Sequence, residues 1–181
     1  MVWEIQRTDW SRLRADRVPE ALRALHCAAS DQEASLAYSS IESAVVAQGA
    51  LYEAAVPTTA CLISVLQRCT PAARPYILEL LVQLGTGEPA PSEIMAGAHG
   101  LQDRCKVELA KGFCIYLNIL EDGSEKERTL CIELLGLCAQ QVPSVAPRVT
   151  WYLQKLVSEP ISTGLKDLAI TWQRAVQGSS R

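Results

Sequence analysis

The sequence predicts an all-α protein built from stacked helix pairs, and three observations support this class. Hydrophobic residues make up 49% of the chain, and Ala and Leu dominate them while Phe occurs once. Ala and Leu favour helices, whereas β-branched and aromatic residues favour strands. Helix-start signals recur along the chain, and short phrases repeat at a spacing typical of helical arrays. The length of 181 residues suits one domain. We expect a single domain over 1–181, with an N-terminal extension at 1–18 and a flexible tail at 178–181.

Serines and prolines predict where the helices begin. Ser30 and Ser124 each precede a glutamate by three residues, which is the pattern of a capping box. Pro19, Pro57 and Pro71 fit the first helical turn, because an amide hydrogen has no partner there and proline lacks one. These signals predict helices over 19–28, 31–48, 57–69, 71–85, 101–121, 125–141, 144–158 and 163–177, with a short helical turn at 92–97.

An internal repeat indicates how the helices are arranged. The phrase Ile77–Leu81 recurs as Cys131–Leu135, and Val56-Pro57 recurs as Val142-Pro143, 86 residues later. That spacing is about twice the ~40–47 residues of HEAT and armadillo repeats. The sequence therefore predicts a HEAT/armadillo-like α-solenoid of about three antiparallel helix pairs with capping helices; a compact irregular helical bundle is the alternative. The predicted pairs are 31–48 with 57–69, 71–85 with 101–121, and 125–141 with 144–158, capped by 19–28 and 163–177 and interrupted by an insertion at 86–97.

The seven cysteines do not form a metal-binding pattern. No two of them have the gap of two to four residues that zinc knuckles use, and their number is odd. We expect them to be small buried hydrophobes in a reducing compartment. They are Cys27, Cys61, Cys69, Cys105, Cys114, Cys131 and Cys138.

The charge and hydropathy pattern excludes several classes of partner. The formal net charge is -3, and the 17 basic residues are spread along the chain. Nucleic-acid-binding domains usually have a basic face, so we expect no nucleic acid. No run reaches the ~18 apolar residues of a membrane span, and no signal peptide is recognisable. We expect a cytoplasmic monomer without membrane contact.

The search for catalytic motifs finds no convincing site. The two histidines, His26 and His99, have no nucleophile at a useful spacing. No phosphate loop, dinucleotide fingerprint, serine elbow or histidine zinc motif occurs. Acidic pairs such as Glu121 with Asp122 are interpreted as solvated helix ends. We therefore expect no enzymatic activity, no catalytic residue, no metal and no cofactor.

Glutamates inside apolar runs are the candidate partner-binding residues. Glu42 and Glu53 lie in such runs, and Glu79 and Glu133 occupy matching places in the repeat. A buried lone carboxylate is costly, so each either bonds a neighbouring helix or belongs to an acidic binding face. Both readings stay open. The insertion is a second candidate, because solenoid insertions often lie on the binding face. The candidate residues are Glu42, Gln48, Tyr52, Glu53, Glu88 and Glu93.

The run Tyr38–Pro57, together with Ile77–Leu81 leading to Gly87-Glu88-Pro89, resembles a bacterial group of small HEAT-like repeat proteins. Some members of that group are immunity proteins of polymorphic toxin systems. The resemblance covers roughly residues 19–160. It implies that the chain binds the toxic domain of one cognate secreted toxin and neutralises it. A helical adaptor or regulatory scaffold is the alternative function, and a helical-repeat enzyme or nucleic-acid binder is a third.

Overall fold

A computed structural model describes residues 3–178 of the chain and is predominantly helical. Within those residues, eleven α-helices are joined by short connections, two 3₁₀ turns and two strands of two residues each. The prediction of an all-α class is confirmed. Residues 179–181 of the predicted flexible tail lie outside the described part, and Gly178 is the last residue of the final helix. Among residues 3–178, no helix combines the length and apolarity that crossing a lipid bilayer requires.

The chain divides into two compact units, one ending at Leu109 and one beginning at Ala110. The prediction of a single domain stays a prediction. The elements up to the boundary are α1 Trp3–Gln6, α2 Val18–Cys27, α3 Asp31–Val45, β1 Ala50–Leu51, α4 Ala55–Leu66, α5 Arg74–Thr86, β2 Glu88–Pro89, α6 Pro91–Met95 and α7 Leu101–Ala110. The elements of the second unit are α8 Phe113–Asp122, α9 Glu125–Gln141, α10 Ala146–Val157 and α11 Thr163–Gly178.

In the first unit, consecutive helices pair and the pairs stack. Helix α2 packs against α3 and α4 against α5, while α2 also contacts α4 and α3 also contacts α5. The predicted pairing is therefore shifted by one helix, because α3 packs on α2 and α5 rather than mainly on α4. Fully buried aliphatic side chains fill the space between these helices, and they include Leu22, Leu25, Ile41, Leu62, Ile77 and Leu81.

The predicted N-terminal extension belongs to the core of the first unit. Helix α1 contacts α2 and α4. Ile5, Trp10 and Val18 are almost completely buried. The Trp10 indole N–H donates a 2.8 Å hydrogen bond to the Ile5 carbonyl, so burying this indole leaves no donor without a partner. The segment therefore packs apolar side chains against α2 and α4.

In the second unit, α9 lies at the centre and contacts α8, α10 and α11. Its start is the predicted capping box: the Ser124 hydroxyl accepts from the Glu127 amide, and the Glu127 carboxylate accepts from the Ser124 amide at 2.7 Å. This reciprocal bonding satisfies two amides that have no partner within the helix. The Leu-rich body of α9 is buried on most sides.

The predicted helix over 101–121 is wrong, because the chain forms two helices, α7 and α8, with a break near Gly112. A Cβ atom at Gly112 would lie 2.3 Å from the hydroxyl oxygen of Tyr116. Tyr116 is fully buried, so its ring occupies the place that a side chain at position 112 would need. Glycine is also a poor helix former. Close packing of Tyr116 against Gly112 therefore coincides with the break inside the predicted long helix.

The predicted helix start at Pro71 is also wrong, since α5 begins at Arg74 and Pro75 occupies its first turn. A helix from Pro71 would place Pro75 one full turn inside it. Proline there has no amide hydrogen for the carbonyl four residues earlier, and its ring clashes with that carbonyl. Residues 71–73 form a turn instead, in which the Ala73 amide donates to the Thr70 hydroxyl at 3.3 Å.

The cysteines comprise four buried thiols, two exposed thiols and the half-buried Cys69. Burial raises the pKa of Cys61 and of Cys138 to about 12, and burial with a smaller opposing hydrogen bond from Thr59 raises the pKa of Cys105 to about 11. Cys131 is buried as well, whereas Cys27 and Cys114 are exposed. The expected core role therefore fits four of the seven.

We expect Cys27 and Cys114 to react rapidly with Ellman's reagent at about pH 8, because the reagent can reach both exposed sulfur atoms. The four buried thiols should react only after unfolding, because the thiolate is the nucleophile and burial suppresses it. A thiol titration before and after addition of denaturant measures both groups. Fast reaction of Cys61 or Cys138 in the native protein would contradict this arrangement.

Candidate functional site

The first half of the site begins where α3 ends. Val45 is the last residue of α3, and Gln48 and Gly49 follow with φ of 53° and 80°. Two consecutive residues in the left-handed region turn the chain away from the helix axis; glycine adopts this region freely and glutamine does so at some cost. The chain then continues as β1, and the Tyr52 amide donates to the Val45 carbonyl at 3.1 Å.

The second half of the site is β2, which follows α5 and pairs with β1 in parallel. Ala50 lies opposite Glu88 and Leu51 opposite Pro89. The ladder continues past the strands, because the Ala90 amide donates to the Leu51 carbonyl at 2.9 Å. This pairing brings the segment around Gln48 next to the segment 86–97, which the sequence predicted to be an insertion between repeats. We call residues 47–53 and 87–95 together the crossover surface.

Gly87 sits where the two halves meet, and only glycine fits there. A Cβ atom at this position would lie 2.9 Å from Leu51 Cδ2 and 3.0 Å from the carbonyl oxygens of both Gln83 and Gly49. Two of these three neighbours are backbone atoms, which cannot rotate away. The Gly87 amide donates to the Gln83 carbonyl at 2.8 Å. Gly87 therefore contacts the end of α5 and lies directly against the segment that contains β1.

Five of the six predicted binding residues lie on the crossover surface. Gln48, Glu53 and Glu88 are exposed, and Tyr52 and Glu93 are half-buried. The three glutamates are the only charged residues of these two segments, which contain no lysine or arginine. The surface is therefore acidic, and a basic partner would complement it.

Two exposed apolar residues on this surface were missed by the sequence analysis. Ile94 and Met95 end the short helix α6 and are 48% and 89% exposed. Single exposed apolar residues are common, but two adjacent ones beside acidic side chains form an amphipathic patch. The available signal was an Ile-Met pair inside an insertion that is otherwise rich in Gly, Pro and polar residues.

The sixth predicted residue, Glu42, has a structural role between α3 and α5. Its carboxylate accepts from the Tyr38 hydroxyl at 3.1 Å and from the Gln83 amide at 3.3 Å. The Gln83 amide also donates to the Tyr38 hydroxyl oxygen at 2.7 Å. Burial first, and then the charges of Glu42 and Glu79, raise the pKa of Tyr38 to about 12. Because Glu42 holds two donors from neighbouring side chains, it is not a freely exposed contact.

Glu133, one of the two matched repeat glutamates, also bonds a neighbouring helix. Its carboxylate accepts from the Trp172 indole N–H at 2.9 Å, joining α9 to α11. For Glu42 and Glu133 the structure therefore supports interhelical bonding, and for Glu53 it leaves the carboxylate at the surface.

Charge reversal distinguishes the hydrogen-bonded Glu42 from the exposed Glu53. We expect Glu42→Lys to lower the free energy of unfolding by about 1–2 kcal/mol, because the Tyr38 hydroxyl and the Gln83 amide lose their acceptor. Glu53→Lys should stay within about 0.5 kcal/mol of the wild type, as exposed substitutions usually do. Urea unfolding followed by circular dichroism measures both. Equal stability of the two variants would contradict the structural role of Glu42.

Within residues 3–178, no group of three or more His, Cys, Asp or Glu side chains could hold a metal ion. The groups with strongly raised pKa values are thiols and tyrosines, and burial is the main cause for each. The crossover surface offers carboxylates, an aromatic ring and exposed aliphatic side chains. Comparison of the chain with protein-family models, with curated proteins and with solved structures found no match.

Proposed function

We propose that this chain is an immunity protein, which binds the toxic domain of a cognate secreted bacterial toxin through the crossover surface. The observation that carries the proposal is the β1–β2 pairing. It brings the acidic residues Glu53 and Glu88 into one region with the exposed Ile94 and Met95. The resemblance of Tyr38–Pro57 to small HEAT-like immunity proteins gives the class of partner.

We further propose that each unit is a stretch of HEAT-like solenoid. This proposal is supported by hydrogen bonds between helices whose separation in the sequence is close to the length of one repeat. Asp31 of α3 accepts from Tyr76 of α5, and Tyr38 accepts from Gln83, with 45 residues separating each pair. In the second unit, Glu133 and Trp172 join α9 to α11 across 39 residues. Both spacings are close to the ~40–47 residues of HEAT and armadillo repeats. Such arrays hold their connecting segments on a rigid scaffold.

The composition of the surface indicates the chemistry of the partner. A rim of carboxylates steers and orients a basic surface, while a few apolar anchors at the centre of an interface supply most of the affinity. We therefore propose a basic patch with an apolar depression on the toxic domain. In this proposal the protein is a cytoplasmic monomer that needs no cofactor. It neutralises the toxin by covering the toxin's active site or by blocking the access of substrate to that site.

Co-expression tests the proposal directly. The partner to use is the C-terminal domain of a secreted effector encoded beside this chain, induced in cells that carry the wild type or a variant. We expect the wild type to restore growth and Met95→Asp combined with Glu88→Lys to lose protection. The matched control is Asp16→Lys, which changes an exposed acid in a turn outside the crossover surface.

The outcomes separate this function from the adaptor alternative. Growth arrest despite well-expressed, folded wild-type protein would refute neutralisation of that toxin. Protection by the wild type that is equally strong in the double variant would place the binding face elsewhere. An adaptor would instead give no protection and would co-purify with housekeeping proteins of its own cell.

A further inference from the structure

The second unit contains a cavity of about 480 Å³ between the end of α8, the start of α9, the end of α10 and the turn that follows α10. Aliphatic side chains and a proline form much of its wall. Leu120 belongs to α8 and Leu156 to α10, while Pro160 and Ile161 belong to the turn. A concave site that is largely apolar and holds a few polar groups is the usual form of a binding pocket.

The charged residues of the cavity wall balance one another. They are the bases Arg128 and Lys155 and the acids Glu121 and Glu159. Lys155 and Glu159 form an ion pair with 2.8 Å between Nζ and Oε1. Arg128 donates from Nη2 to the Glu121 carbonyl oxygen. The hydrogen bond and charge of Lys155, with a smaller contribution from Arg128, lower the pKa of Glu159. The wall therefore carries as many positive as negative side chains, and they hold one another.

An ionic group that enters this cavity gains no net attraction from the wall. Removing a charge from water is costly unless opposite charges or hydrogen bonds replace the lost hydration. A ligand charge of either sign would meet equal numbers of attracting and repelling side chains, and Lys155 would have to leave Glu159 before either could bind it. An uncharged group has no such hydration to lose. Charge complementarity therefore selects an uncharged occupant.

An exposed tryptophan in the cavity wall indicates the shape of that occupant. Trp151 is 58% exposed, and its ring meets Tyr152 nearly edge-on with centroids 5.1 Å apart. The Arg148 guanidinium lies 5.8 Å from the Tyr152 centroid and 5.5 Å from that of Phe113. Aromatic rings pair in offset or edge-to-face arrangements, so the exposed part of the Trp151 ring offers a place for a further ring. Tryptophan, tyrosine and arginine are also the residue types that dominate protein–protein hot spots.

We propose that this cavity binds an uncharged aromatic side chain that a partner protein presents. The ring would lie against Trp151, Leu156 and Ile161, without forming an ion pair with the wall. The hot-spot composition around Trp151 selects a protein as the source of the ring. The proposal is independent of the crossover surface, which belongs to the first unit and whose acidic character selects a basic partner.

Three small probes with the same ring test the cavity without any toxin. We suggest titrating the full chain, labelled with ¹⁵N, at about pH 6, where carboxylates are ionised and α-amino groups are protonated. N-acetyl-phenylalaninamide is uncharged, N-acetyl-phenylalanine carries a carboxylate, and phenylalaninamide carries an ammonium group. The Trp151 indole N–H signal reports on the cavity. The indole of Trp3, 79% exposed in the first unit, is the internal control.

We expect the uncharged probe to shift the Trp151 signal with a millimolar Kd, and each charged probe to bind about tenfold more weakly. Glu159→Gln leaves an excess of positive charge, so the acid should then bind more tightly than the amine, and Lys155→Gln should reverse that order. Trp151→Ala should weaken binding of the uncharged probe, measured by the shifts of neighbouring amides, whereas the matched control Trp3→Ala should not.

Three results would contradict the proposal at different points. No shift of the Trp151 signal by about 20 mM of the uncharged probe, well above a millimolar Kd, would overturn the site. Equal affinity of the wild type for all three probes would overturn the selection of an uncharged group. A shift with benzyl alcohol but not with N-acetyl-phenylalaninamide would assign the cavity to a small molecule and overturn the protein partner.

Discussion

Replacement of Gly87 with valine should lower the free energy of unfolding by about 2–3 kcal/mol, as expected for overpacking a closely packed position. The Cβ atom would meet the carbonyl oxygens of Gln83 and Gly49, each at 3.0 Å. Relief of that contact requires the end of α5 to move away from the segment before β1. The β1–β2 pairing would open, and the crossover surface would lose its arrangement.

Two measurements report on the Gly87→Val change, one on the stability of the whole protein and one on the β1–β2 pairing. Urea unfolding gives the global loss, and amide hydrogen exchange at Ala90, which donates to the Leu51 carbonyl, reports on the pairing itself. Gly164→Val is the matched control, because no atom lies within 4 Å of a Cβ at Gly164. If the Gly87→Val protein has wild-type stability and its Ala90 amide stays protected, then the pairing of β1 with β2 does not depend on a glycine at this position.

Replacement of Gly136 with valine should destabilise the second unit by about 3 kcal/mol, at the upper end of overpacking costs. A Cβ at Gly136 would lie 2.1 Å from Cε3 and 2.3 Å from Cδ2 of Trp172. The indole cannot move freely, because its N–H donates to Glu133. Either the hydrogen bond or the contact between α9 and α11 must give way.

A double-mutant cycle isolates this contact. Gly136→Ala should destabilise the wild type, even though alanine is about 1 kcal/mol better than glycine in a helix. In a Trp172→Leu background, which removes the ring, Gly136→Ala should become neutral or stabilising. An identical effect of Gly136→Ala in both backgrounds would mean that the two residues do not interact.

The crossover surface rests on backbone pairing between segments far apart in sequence, so its geometry is sensitive to a single glycine. Substitutions at Gly87 therefore test the stability of the first unit and the arrangement of this surface together.

The helices that were predicted best are those with strong local signals. Helix α9 has the predicted bounds of 125–141, and α11 begins at the predicted residue 163, because a capping serine or a clear turn precedes each. The break in 101–121 could not be predicted, since it coincides with the close contact of Tyr116 and Gly112. The start of α5 could have been placed correctly from Pro75, whose missing amide excludes a helix from Pro71.

The sequence by itself determined the helical class, the approximate positions of most helices and the acidic composition of the candidate stretches, because each depends on residues close together in the chain. Only the tertiary structure decided which helices pack together. It also decided that Ala50 lies opposite Glu88, that Glu42 bonds Tyr38 and Gln83, and that Gly136 lies against the Trp172 ring. The physical reason is that parallel stacking and strand pairing join residues many positions apart, whose contacts depend on how all the intervening helices fit.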